Sequence, residues 1–219
     1  MILDVVELGA WQANCYLLGH PEGGTCVVVD PGQGAADVMP ARMAARGLRC
    51  EAVLLTHGHL DHVWAAPALA AALDVPVLLH PDDHYLWRDP AAAFGVLPPG
   101  ALEQQFGLVW EPDGTRLEPV HDGQTLTLAG LRLQVRHTPG HTPGSSVLVG
   151  DGLLVSGDLL FAGSIGRTDF PRGDHAAELA SIARVVLPLP DDTAVHPGHG
   201  PATTVGRERR TNPFLRAIA

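Results

Sequence analysis

Four side chains able to bind a metal fall within one short segment, Thr56-His57-Gly58-His59-Leu60-Asp61-His62. It follows residues 51–55, an apolar run that reads as a buried strand, and precedes residues 61–72, which read as a helix. In extended chain alternate side chains point the same way, so His57, His59 and Asp61 can converge on one side. A helix starting near Asp61 turns Asp61 and His62 toward a second point nearby. Imidazole with carboxylate suits zinc, iron or manganese. The bland alternative is a polar loop that happens to be His-rich. The coincidence of strand, motif and helix argues against it.

Three later segments each end a strand on one ligand-type residue. Thr138-Pro139-Gly140-His141-Thr142-Pro143-Gly144 presents His141 from a tight loop, Ser156-Gly157-Asp158 puts Asp158 at a strand tip, and Pro197-Gly198-His199-Gly200 follows the last expected strand. Each alone would more often be a turn residue. Together with the first motif they describe a site gathered at strand ends.

Composition narrows the classes. With 219 residues, 46% of them hydrophobic and 17% charged, the chain can bury a full core, and we expect a single domain over 1–219. The net charge of −10 argues against a nucleic-acid surface. All 14 basic residues are arginines, which removes Schiff-base and P-loop lysine chemistry. Cys15, Cys26 and Cys50 are odd in number and lack Cys-x-x-Cys spacing, so neither a disulfide framework nor a thiolate zinc site is expected. The first residues carry Asp4 and Glu7 and no basic region, and no apolar run reaches a membrane span. The expectation is a cytoplasmic protein with no membrane or nucleic-acid partner, a monomer or homodimer acting on a small molecule.

Strands are expected at 1–8, 13–18, 25–30, 51–55 and 76–79, helices at 34–46, 61–72 and 81–87. Residues 89–119 are rich in Pro and Gly and read as a mobile or substrate-facing loop. Hairpins follow at 124–137 and 146–156, then a helix at 175–186, a final strand at 193–196 and a short helix around 206–210. Strands mixed with helices point to a layered α/β or α+β domain.

The succession T-H-x-H-x-D-H, P-G-H-T-P-G, G-D and G-H-G resembles the metallo-β-lactamase-fold superfamily. Gly163-Ser164-Ile165-Gly166-Arg167-Thr168-Asp169-Phe170 and the tail through Asn212-Pro213-Phe214 are more narrowly similar to its glyoxalase II-type branch, in particular short bacterial members. The resemblance implies a four-layer αββα sandwich with the site at one edge of the sheets. It implies that His57, His59 and His141 hold one metal, that Asp61, His62 and His199 hold the other, and that Asp158 bridges them. The implied cofactor is a pair of divalent ions, zinc foremost, with iron or manganese also suited. Asp61 and Asp158 are the expected catalytic carboxylates.

The implied reaction is attack by a hydroxide shared between the two metals on the carbonyl of a thioester such as S-lactoylglutathione. Arg167 is the residue that the resemblance places near the carboxylates of glutathione. Asp169 departs from the full-length glyoxalase II pattern, which has an aromatic contact there, and the longer helical C-terminal region of that pattern is not expected. Arg207, Arg209 and Arg210 read as a solvated helix face. The alternative reading is a persulfide dioxygenase, whose branch shares Gly-Arg-Thr-Asp-Phe and would hold a single Fe(II) with His57, His141 and Asp158. Asp30 is expected to support the metal loop without ligating. His137 and His196 read as structural neighbours of the site. His20, His80, His84, His121 and His175 read as surface or loop residues without partners.

Overall fold

The computed structural model describes residues 1–95, 97–98 and 100–218. Its chain begins with β1 (Ile2–Leu8), β2 (Ala13–Gly19) and β3 (Thr25–Val29), an antiparallel meander. Helix α1 (Ala35–Ala44) then crosses to β4 (Arg49–Leu54), which lies parallel to β3. Helices α2 (Leu60–Val63) and α3 (Ala66–Leu73) lead to β5 (Val77–Leu79), again parallel. After α4 (His84–Arg88) and α5 (Ala101–Phe106) the short β6 (Leu117–Pro119) closes a six-stranded sheet in sequential order.

The second sheet starts with the hairpins β7 (Thr125–Leu128), β8 (Leu131–His137), β9 (Ser146–Gly150) and β10 (Leu153–Gly157). A small ribbon follows, β11 (Leu160–Phe161) with β12 (Ser164–Ile165), and then helix α6 (His175–Ser181), continued by a π turn over Ile182–Val186. Strand β13 (Ala194–Pro197) inserts parallel to β10, β14 (Thr203–Thr204) completes the edge, and α7 (Val205–Thr211) and α8 (Pro213–Ile218) end the described chain.

Strand periodicity explains the layering. On β2, Tyr16 and Leu18 face Leu133, Val135 and Val155 between the sheets, while Cys15 and Leu17 face α1 and α3. On the other sheet Leu148 and Leu153 point inward, while Val147, Leu154 and Val195 pack under α6, α7 and α8. Two sheets back to back, each with one face under helices, make the expected αββα order.

Three expectations need correction. Residues 89–119 are not structureless. A 3₁₀ turn over Pro90–Phe94, α5 and β6 lie there, and Leu102 and Leu108 pack on Leu60. These elements are too short to show a period, and Pro and Gly mask their ends; Val96 and Pro99 lie outside the described residues. The helix expected over 61–72 is two helices, because Pro67 opens a new first turn and the Ala65 N–H turns to the Pro31 carbonyl. Strand β13 is not the last, since β14 follows it. Among the described residues no helix is long and apolar enough to cross a membrane.

Candidate metal centre

The site sits where the two sheets meet at one edge. Thr56 to His62 leave the end of β4, the His141 loop joins β8 to β9, Asp158 follows β10, and His199 follows β13. The seven sequence-derived residues converge there. His57, His59 and His141 bring donor atoms within 4.8 Å of one another, as do Asp61, His62 and His199. A third such group, His57, His62 and Asp158, takes one histidine from each set. Asp158 Oδ1 lies 3.4 Å from His62 Nε2, and its Oδ2 lies 3.5 Å from His141 Nε2 and 3.6 Å from His199 Nε2.

The outer nitrogens are anchored, which aims the inner ones. His57 Nδ1 meets Thr56 Oγ1 at 3.0 Å, His62 Nδ1 meets Asp30 Oδ2 at 3.0 Å, His141 Nδ1 donates to the Arg167 carbonyl at 2.7 Å, and His199 Nδ1 donates to the Gln12 carbonyl at 3.2 Å. Metal-binding imidazoles are held in this way by a partner on the far nitrogen. His57 Nε2 and Asp158 Oδ1 are buried with no hydrogen-bond partner. Buried polar atoms are rarely left so, and these two face the cluster, so the donor set fits divalent ions.

The supporting residues were partly legible. Asp30, in a left-handed conformation, accepts the Thr56 N–H and hydroxyl at 2.8 and 2.7 Å and orients His62, as expected of a residue that does not ligate. Asp83 was missed. Fully buried, it accepts the Gly58 N–H at 2.8 Å, the Thr142 hydroxyl at 2.7 Å and the Gly144 N–H at 2.7 Å, tying the His57 loop to the His141 loop. Glu178 was also missed. From α6 it accepts the His141 N–H at 2.8 Å. Burial, with the Asp158 charge adding, pushes its carboxyl up to about 9 although the His141 N–H opposes this. Asn14 Nδ2 donates to the Pro197 and Gly200 carbonyls, fixing the His199 loop. Local patterns carry no trace of such partners, which lie up to 186 residues away in sequence.

Gly157 and Gly198 are among the glycines that the site requires sterically. At Gly157, φ is +48° and a Cβ would lie 2.7 Å from Thr56 Cβ. At Gly198 a Cβ would strike Asp158 Oδ1 and lie 2.7 Å from His62 Cε1.

Among the other histidines, His137 Nε2 donates to the Pro143 carbonyl at 2.8 Å and so braces the His141 loop. The reading of His80 as an unpartnered surface residue is corrected. It is buried, and its ring stacks on His137 at 4.0 Å. Burial and the neighbouring His137 push it down to about 4. Its partner arrives from a distant hairpin, which spacing does not reveal.

A cleft of about 370 Å³ opens over the site, with Trp11, Phe94, Phe161 and Phe170 among its walls and Arg167 on its rim. Arg167 is paired to Asp169 and stacked on Phe170. Arg209 is held by the Leu187 and Leu189 carbonyls and pairs with Asp191, away from the cleft.

Residues 8–199 match the model of the metallo-beta-lactamase superfamily. The chain belongs to that superfamily. This metallo-β-lactamase-fold chain is 38% identical to hydroxyacylglutathione hydrolase GloC of Haemophilus influenzae, over 99% of both chains. Its fold is similar to three solved structures. BLEG-1, described as a B3 metallo-beta-lactamase, gives a TM-score of 0.86 at 36% identity, covering 98% of this chain and 99% of that one. TTHA1623 in a di-iron-bound form gives 0.82 at 42% identity, covering 97% and 100%. ETHE1 from Myxococcus xanthus gives 0.79 at 26% identity, covering 100% and 90%. Family and donor set together imply divalent metals and a metal-dependent hydrolase fold.

Proposed function

We propose that this protein is a binuclear metal-dependent thioesterase, acting on thioesters such as S-lactoylglutathione. The observation that carries the reading is the presence of two complete donor triads with Asp158 between them. The likeness to a hydroxyacylglutathione hydrolase supports the same class. His57, His59 and His141 would hold one ion, Asp61, His62 and His199 the other, and Asp158 both. Zinc is the favoured metal, and the di-iron relative supports iron as a substitute. Divalent ions there supply a water-derived nucleophile at neutral pH and polarise the carbonyl.

The protein's own groups position the rest. Asp61 Oδ2 lies 3.1 Å from His199 Nε2 and lines the cleft, where it can orient the nucleophile. The aromatic walls of the cleft, Trp11, Phe94, Phe161 and Phe170, can hold the substrate beside that nucleophile. A thiolate leaves readily, so the reaction needs no strong general acid. Arg167 is the cation placed to meet an anionic group of the substrate.

A second reading, an Fe(II) persulfide dioxygenase using His57, His141 and Asp158, is supported by the likeness to ETHE1. Purified protein with its metals counted decides between them. The thioesterase reading expects about two metals per chain and hydrolysis of S-lactoylglutathione. One iron, with oxygen consumed on glutathione persulfide and no thioester hydrolysis, would establish the dioxygenase instead.

A further inference from the structure

We propose that His80, Asp82 and His137 form a further site for a divalent transition ion, outside the candidate centre, and that filling it releases the brace on the His141 loop. The site shares no donor with the seven central residues, and it does not rest on the thioesterase reading. His80 and Asp82 stand on the turn after β5 of the first sheet, and His137 ends β8 of the second. Their donor atoms lie within 4.8 Å of one another. Asp82 Oδ2 is 3.8 Å from His80 Nδ1 and 3.9 Å from His137 Nε2. Donors held at about 2.1 Å by one zinc ion stand about 3.4 Å apart at tetrahedral angles, so side-chain rotations close the set. His121, exposed on the turn before β7, has its ring 6.2 Å from that of His80 and can supply a third imidazole. Imidazoles with one carboxylate suit zinc, copper or nickel, and not magnesium or calcium.

The geometry couples this site to the His141 loop. The rings of His80 and His137 are stacked at 4.0 Å and lie 8° from parallel. A nitrogen lone pair lies in the plane of its ring, so two stacked parallel rings cannot both aim at one ion. One ring has to turn edge-on. The side chain of His80 is 9% exposed and that of His137 is 23% exposed, so His137 is the one free to turn. Its Nε2 donates to the Pro143 carbonyl at 2.8 Å. The same nitrogen cannot keep that proton and ligate, so binding moves the proton to Nδ1 and leaves the carbonyl without its donor. The end of β8 stays in place, because the His137 N–H donates to Asp122 Oδ1 at 2.9 Å and the His137 carbonyl accepts from Arg184. Asp83 still holds the Thr142 hydroxyl and the Gly144 N–H. The loop therefore loosens by about one hydrogen bond, which is about two- to tenfold more frequent opening.

The test uses untagged protein with its centre loaded, dialysed to equilibrium against zinc buffered at graded free concentrations. Total transition metal per chain is counted above whatever the centre itself retains, so the result holds whether the centre is binuclear or carries a single iron. Two variants each remove one donor: Asp82→Asn, at a side chain 58% exposed, and His80→Phe, which keeps a ring in the stack. Wild type is expected to take up one more zinc ion, and each variant to bind it about tenfold or more weakly, with the central complement unchanged. Hydrogen exchange over residues 138–145 is expected to quicken about two- to tenfold in wild type as that ion binds, and not in Asp82→Asn at the same free zinc. Circular dichroism confirms the fold of each variant, and a folded Asp82→Asn alone suffices. No ion taken up beyond the centre, equal affinity in wild type and a folded variant, or exchange that stays the same or slows on binding overturns the proposal.

Discussion

The rings of His57 and His62 lie 4.2 Å apart, yet their proton affinities move in opposite directions. Burial, with the charges of His62, His141 and its other histidine neighbours adding, drives His57 well below its ordinary value, and burial drives His59 down likewise. Burial also opposes protonation of His62, but Asp61, Asp158 and Asp30 outweigh it and push the ring up to about 10. His199 is raised by Asp61 and Asp158, again against burial. In chelated protein near neutral pH, His57 and His59 are therefore neutral and ready to ligate, whereas His62 carries a proton that a metal must expel and His199 is shifted in the same direction. The sign follows: affinity on the Asp61–His62–His199 side should rise with pH by about tenfold per unit for each proton displaced. Affinity on the His57–His59–His141 side should change much less. Zinc titrations against a chromophoric chelator at several pH values check this, and two sites with the same slope would refute it. Asp158 gives a second expectation at this scale. Because its two oxygens face histidines of both sets, Asp158→Ala should lower occupancy at both positions, read by metal analysis; full two-metal loading with unchanged activity would rule out bridging.

At the scale of elements, the centre depends on loops fastened to one another. The turn over Pro81–Asp83 and helix α4 contribute nothing to the donor set, but Asp83 holds the loop after β4 and the loop after β8 together through three short hydrogen bonds. Removing the carboxylate leaves two buried N–H groups and a buried hydroxyl without that acceptor. Asp83→Ala should cost about 3 kcal/mol or more, and metal affinity should fall with it because His57, His59 and His141 lose their mutual register. Urea denaturation with a parallel zinc titration measures both. A variant as stable as wild type that loads metal normally would show that the two loops hold themselves.

For the whole molecule, the proposed ligands come from both halves of the sandwich. His57, His59, Asp61 and His62 follow a strand of the first sheet, and His141, Asp158 and His199 follow strands of the second. Ions bound there join the sheets at one edge and bind only the folded chain. Loading should therefore raise stability by on the order of 4 kcal/mol when free metal exceeds Kd about a thousandfold. That is a Tm higher by about 10 °C for a chain of this size. Calorimetric scans of chelated and reloaded protein test it, and coincident transitions would mean that metal binding and folding are uncoupled.

Apolar runs bounded by turn residues, with alternation in the 124–137 hairpin, marked most strands in advance, because both signals are written in neighbouring residues: β1, β2, β3 and both hairpins of the second sheet lie within a residue or so of expectation. The seven convergent side chains were also legible, since each is flanked by the Gly, Pro or strand end that presents it. Packing alone decided the rest. The short helices and the edge strand within 89–119 are held by contacts to Leu60 and β5, not by local pattern. Asp83, Glu178 and Asn14 act through hydrogen bonds to loops 25 to 186 residues away. The pairing of Arg167 with Asp169 lies only two residues apart. Whether those side chains meet each other or the substrate depends on how the turn after β12 folds back over Phe170, and tertiary structure decides that.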